Sequence, residues 1–137
     1  MTFMNQALVL AKRAARHDDV PIGAVIVCDG KIIAHGENQV QQKQNPTLHA
    51  EIVAINRACK KLGTKFLYDC DIYVSLEPCA MCATAISLAR IKNIYFAAPD
   101  IKVVELCQTQ KYTKQINICG NQTSIKHQNT QISRHNY

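Results

Sequence analysis

Two short segments far apart in the chain, His49-Ala50-Glu51 and Pro78-Cys79-Ala80-Met81-Cys82, constrain this sequence more than any other feature in it. Together they offer one imidazole, two thiolates and a carboxylate, the donor types of a zinc site. A fold that serves them must bring both segments to one point. Held by His49, Cys79 and Cys82, one zinc ion per chain keeps its fourth position for water and lowers the pKa of that water from 15.7 to roughly 7. Glu51 stands two residues after His49, about 200° further round a helix, so it need not be a ligand. A carboxylate beside such a water can take its proton and pass it to a ring nitrogen, then to a departing amine. Thiolates at a helix start gain from unpaired backbone N–H groups and the positive end of the dipole, and Pro78 ahead of Cys79 suits such a start.

Taken singly, each segment is weak. A C-x-x-C pair also serves redox chemistry or half of a zinc ribbon, but a ribbon wants a second close pair. Cys28, Cys59, Cys70, Cys107 and Cys119 are scattered without one. A closed structural site would have no use for Glu51, so the joint pattern points to catalysis.

A chain of 137 residues is one domain by the usual prior. No run of about 20 apolar residues is present to span a membrane, and the N-terminal stretch is amphipathic rather than a secretory leader. With seven cysteines irregularly placed, a reducing, cytoplasmic setting is expected, with Cys28, Cys59 and Cys70 as small core residues.

Ala7, Leu8, Ala11, Ala14 and Ala15 recur at helical spacing and predict an amphipathic helix over 3–17. The β-branched run from Val20 to Cys28, the Asp29-Gly30 turn and the segment Lys31 to Gly36 read as a hairpin. Glu37 to Pro46 reads as loop. Thr47 is expected to cap a helix from about Leu48 to Leu62 that carries His49 and Glu51 in its first turn. Asp71 to Leu76 reads as a strand, Cys79 to about Leu88 as the second ligand-bearing helix, and Lys92 to Ala97 as another strand. This alternation is an α/β sandwich with its chemistry where helix N-termini converge.

Beyond the ligand pattern, Val20-Pro21-Ile22-Gly23-Ala24-Val25, Pro46-Thr47-Leu48-His49-Ala50-Glu51-Ile52, Leu76-Glu77-Pro78-Cys79-Ala80-Met81-Cys82 and Ala89-Arg90-Ile91 occur in an order and spacing that resemble the bacterial tRNA adenosine deaminases, within the cytidine and deoxycytidylate deaminase superfamily. The resemblance covers residues 3 to 100. It implies a cytidine-deaminase-like three-layer sandwich with a central mixed sheet of about five strands, and a homodimer whose interface helps form the substrate groove. It also implies zinc, a tRNA anticodon stem-loop as partner, and conversion of the wobble adenosine to inosine. His49, Cys79 and Cys82 align with the family's ligands and Glu51 with its general acid/base. Asn38 aligns with an asparagine that contacts the target nucleoside, and Asp100 with an acidic residue near the RNA strand.

The chain departs from that family at Leu48 and Asn45, where alanine and aspartate are usual, and more strongly after Asp100. The family's Lys-Thr-Gly sequence and long terminal helix are missing. Residues 101–137 are rich in Gln, Asn, Thr and Lys, and only Gln115-Ile116-Asn117-Ile118-Cys119 alternates as a short fifth strand would. We therefore divide the chain into a zinc-dependent deaminase core, 1–100, and a divergent basic segment, 101–137. Lys and Arg number eleven against nine Asp and Glu in the first part, and five against one in the second. Such a segment suits an RNA-binding extension and equally the altered end of a decayed gene. Two other functions use the same core: deamination of a free base, guanine or cytosine, and a non-catalytic zinc-stabilised subunit, which would not need Glu51.

Overall fold

In the computed structural model, which describes residues 1–99 and a strand at 117–120, helix α1 (Phe3–Arg16) leads into a hairpin of β1 (Gly23–Cys28) and β2 (Lys31–Glu37). After it come α2 (Val40–Lys43), α3 (Ala50–Leu62), β3 (Cys70–Leu76), α4 (Ala80–Leu88), β4 (Asn93–Ala98) and β5 (Asn117–Gly120). The strands form one sheet in the order β2-β1-β3-β4-β5. β1 runs antiparallel to both neighbours, while β3, β4 and β5 are parallel, so the sheet is mixed.

Side-chain alternation divides the core into two faces. Ala24, Ile26, Ile72 and Val74 point to one face and pack with Ala50, Ala54 and Ala58 of α3 and Ile86 of α4. Val25 and Val27 point to the other, against Leu10 of α1 with Phe3 and Tyr73 beside them. That is the expected three-layer sandwich, and β5 overlaps the segment whose alternation predicted it, starting two residues later and ending one residue beyond it.

The expected hairpin turn forms with Asp29 at φ 51° and Gly30 at φ 73°, the left-handed pair that a two-residue turn requires. Several expectations need correction. β1 begins at Gly23 rather than Val20, since Pro21 has no N–H for a ladder and Val20 is exposed. On α1, Ala7, Ala11 and Ala14 are buried as expected, but Leu10 completes the stripe and Leu8 is 38% exposed. The stretch read as loop contains α2, whose first N–H groups reach the Asp19 carboxylate: Gln41 N–H at 2.8 Å and Gln42 N–H at 3.4 Å. α3 starts at Ala50, with His49 in extended conformation at the cap position. Thr47 does not cap it, because its hydroxyl donates to Asn45 Oδ1 at 2.8 Å.

Two glycines set how closely helices approach the sheet. A Cβ on Gly23 would lie 2.1 Å from the Ala7 carbonyl oxygen, and one on Gly36 2.1 Å from that of Ala50. The second contact seats the start of α3 on the end of β2.

Candidate metal centre and active site

His49 and Cys79 each occupy the residue before a helix, with φ, ψ of −68°, 156° and −67°, 171°. Neither side chain turns back to cap its helix, which leaves both free to face outward from the two helix starts. Their carbonyls accept the first helical bonds, from Val53 at 3.0 Å and Ala83 at 2.8 Å. Cys82 follows within the first turn of α4 and is wholly buried. The His49 Nδ1 lies 3.6 Å from the sulfur of Cys79 and 3.6 Å from that of Cys82. All three ligand atoms fall within 4.8 Å of one another.

The chemistry of this donor set suits a divalent cation. The Cys82 thiol donates towards Cys79 and holds the Cys79 thiol down to about 5, aided by the Cys82 backbone N–H and by His49 against the opposing effect of burial. The same bond, together with burial and the Glu51 charge, pushes Cys82 up. The pair therefore carries one negative charge readily, and a second only with a cation to balance it.

Glu51 lies in the first turn of α3 and is 2% exposed. Burial, the largest influence, raises its carboxyl above the usual range, with the Cys79 charge acting in the same direction and its own backbone N–H and the Cys82 thiol opposing. Its Oε2 is buried with no hydrogen-bond partner among the described residues. A buried carboxyl that interacts with both thiols and keeps one oxygen unpartnered suits a centre that also takes water and a substrate.

Asn38 is buried directly after β2. Its N–H donates to the Ile22 carbonyl at 3.1 Å, and its Oδ1 accepts from Ala50 N–H at 2.9 Å. It therefore supplies the cap expected of Thr47, at the residue between His49 and Glu51. Gln39 N–H, one residue on, donates to the Leu48 carbonyl at 2.9 Å. Asp100 lies outside the described residues.

Sequence reasoning missed a further contact. Arg13 of α1 donates through Nε to both oxygens of Glu37, at 3.0 and 2.9 Å, and through Nη2 at 2.9 Å. Glu37 is nearly buried and adjoins Asn38, so this pair ties α1 to the strand end that starts α3. The signal was a charged Glu37 buried at the end of β2, next to Asn38.

Residues 1–98 match the cytidine and deoxycytidylate deaminase zinc-binding region. The chain belongs to that family. It is 51% identical over 100 residues to the tRNA-specific adenosine deaminase of Agrobacterium fabrum, a match covering 73% of the chain and 66% of that relative, just under two thirds. It is also 47% identical over 105 residues to the guanine deaminase of Bacillus subtilis, covering 76% of the chain and 67% of that enzyme. A solved structure from studies of A-to-I editing by tRNA:A34 deaminases at the wobble position of transfer RNA superposes on the chain with a TM-score of 0.80 at 44% identity, covering 86% of this chain and 90% of that one.

Proposed function

We propose that this deaminase is a zinc-dependent hydrolase converting adenosine to inosine at the wobble position of a tRNA anticodon. The observation that carries the reading is the convergence of His49, Cys79 and Cys82 with the unpartnered Glu51 carboxylate. The 0.80 superposition on a tRNA:A34 deaminase supports the choice of substrate.

In this reading His49 Nδ1 and the sulfurs of Cys79 and Cys82 hold one zinc ion. Zinc bound there supplies Lewis acidity, lowering the pKa of water to about 7 so that a nucleophile exists at neutral pH. Glu51 Oε2 accepts one proton of the attacking water and delivers it to the purine ring nitrogen, then takes the second from the hydroxyl added to the ring carbon and gives it to the departing amine, so that adenosine and water become inosine and ammonia. Its burial raises the carboxyl above the usual carboxylate range, which favours uptake of each proton. Asn38 spends Oδ1 on Ala50 and offers Nδ2 to the nucleoside. The family resemblance assigns Asp100 a role at the RNA strand. The core of 1–100 performs the chemistry, and the basic segment 101–137 adds phosphate contacts.

We also assign a homodimer, supported by Leu88 and Met81 on α4, apolar side chains exposed at 67% and 38%. The setting is cytoplasmic. Among the described residues no helix is long and apolar enough to cross a membrane.

A second reading, guanine deamination, is favoured by the 47% identity to the Bacillus subtilis enzyme. Ammonia release from an anticodon stem-loop with adenosine at the wobble position, from guanine and from cytosine separates the two. The tRNA reading expects release from the stem-loop. Release from guanine alone replaces it with the second reading.

A further inference from the structure

Away from the ligand cluster, the sheet holds another pair of thiols. Cys28 ends β1, Cys70 begins β3, and the antiparallel register places them directly opposite each other. The Cys70 carbonyl accepts from Lys92 N–H at 2.8 Å, and its N–H donates to Leu67 at 3.3 Å, so its backbone hydrogen bonds turn away from β1. Cys28 and Cys70 are therefore a non-hydrogen-bonded pair, the arrangement in which Cα atoms lie about 4.5 Å apart and side chains stand closest. A disulfide needs Cα atoms about 4.4–6.8 Å apart with side chains on one face. Both residues meet that need: Cys70 belongs to the core cluster on the α3 face, and Cys28 packs against the same cluster. Cys28 is half-buried, whereas Cys70 is 1% exposed. Burial, and then the bond to the Cys28 sulfur, push the Cys70 thiol up to about 12. Solvent reaches Cys28, and Cys70 waits behind it.

The geometry points to a Cys28–Cys70 disulfide site that reacts with low-molecular-weight disulfides of the glutathione type. The Cys28 thiolate attacks one sulfur of the small disulfide, forming a mixed disulfide and releasing one small thiolate, which takes up a proton. Cys70 then loses its proton and attacks the Cys28 sulfur. The bond between the two residues forms, and the second small thiol leaves. Two protein thiols are oxidised and one small disulfide is reduced to two thiols. The second step quickens as pH rises, because only thiolate attacks and burial keeps the Cys70 thiol protonated. β3 runs from Cys70 towards Leu76 and Cys79, so the pair sits at the strand end opposite the ligands. The link clasps β1 to β3 without drawing on His49, Cys79 or Cys82, and raises the melting temperature by restricting the unfolded chain.

The test is incubation of the zinc-loaded full chain with oxidised glutathione at pH 8, alkylation of remaining thiols, and peptide mapping beside a zinc assay. The expected result is a Cys28–Cys70 linked peptide, the mass of two hydrogens lost, zinc retained, a higher melting temperature, and reversal by dithiothreitol. C70S should accumulate glutathione on Cys28. C28S, altered at the half-buried strand end, should leave Cys70 reduced and keeps the test open where C70S does not fold. A link to the neighbouring Cys59, a Cys79–Cys82 disulfide with zinc released, glutathione left on Cys28 of the full chain, or no thiol consumed would each overturn the assignment.

Discussion

Glu51 concentrates the chemistry of this chain in one side chain: nearly buried, in the first turn of α3, with one oxygen unpartnered beside two thiols. Glu51→Gln should keep zinc and fold but lower deamination by roughly 10² or more, since positioned proton transfer contributes about 10²–10⁴. Single-turnover rates on protein of confirmed zinc content check this, and a rate equal to the parent's removes Glu51 from the mechanism. Asn38 tests a structural role. Asn38→Ala leaves the Ala50 N–H buried without its acceptor and should cost about 1–3 kcal/mol in denaturant unfolding. Asn38→Asp, which keeps an acceptor oxygen, should recover most of that loss. The ligand set was legible because zinc chemistry demands those residue types, whatever the fold. The capping role of Asn38 was not, because a cap supplied from the end of β2 leaves no local pattern ahead of the helix. Thr47 had the right residue type at nearly the right place, but Asn45 Oδ1 engages it.

At the scale of elements, the site depends on how two helix starts are seated. Gly36 allows α3 onto β2, and Gly36→Ala would drive a methyl group into the Ala50 carbonyl, a backbone atom that no rotamer change can move. We expect roughly 1–3 kcal/mol of destabilisation and weaker zinc retention, because the displaced residue lies between His49 and Glu51. Melting curves with and without a zinc chelator check both. Arg13→Ala leaves the nearly buried Glu37 carboxylate without its bidentate partner and should cost about 1 kcal/mol or more, reduced by the exposure of Arg13. Arg13→Ala in a Glu37→Gln background should cost less, which a double-mutant cycle measures. Long elements were readable from period and turn chemistry: α1, the Asp29-Gly30 hairpin and α3. α2 was not, since four residues, Val40–Lys43, show no periodicity and their start is fixed by Asp19 from another part of the chain.

For the whole molecule, sequence pattern predicted a sandwich but not the strand order, which arises from long-range pairing that no local window contains. β5 is instructive: the alternation from Gln115 to Cys119 marked it within a polar segment, and it completes the sheet beside β4. Residues 121–137 follow it and carry Lys126 and Arg134. Deleting them should weaken anticodon-loop binding and flatten its salt dependence by up to about two units of slope, as two phosphate contacts would. Affinity titrations at several salt concentrations decide the matter, and an unchanged slope would place those residues away from RNA. The most direct test of the central claim is mass-spectrometric detection of inosine in an anticodon stem-loop incubated with the zinc-loaded protein, with nuclease digestion to locate it. We predict inosine at the wobble position alone, absent with Glu51→Gln. An unmodified stem-loop from a preparation that deaminates free guanine or cytosine would contradict the assignment.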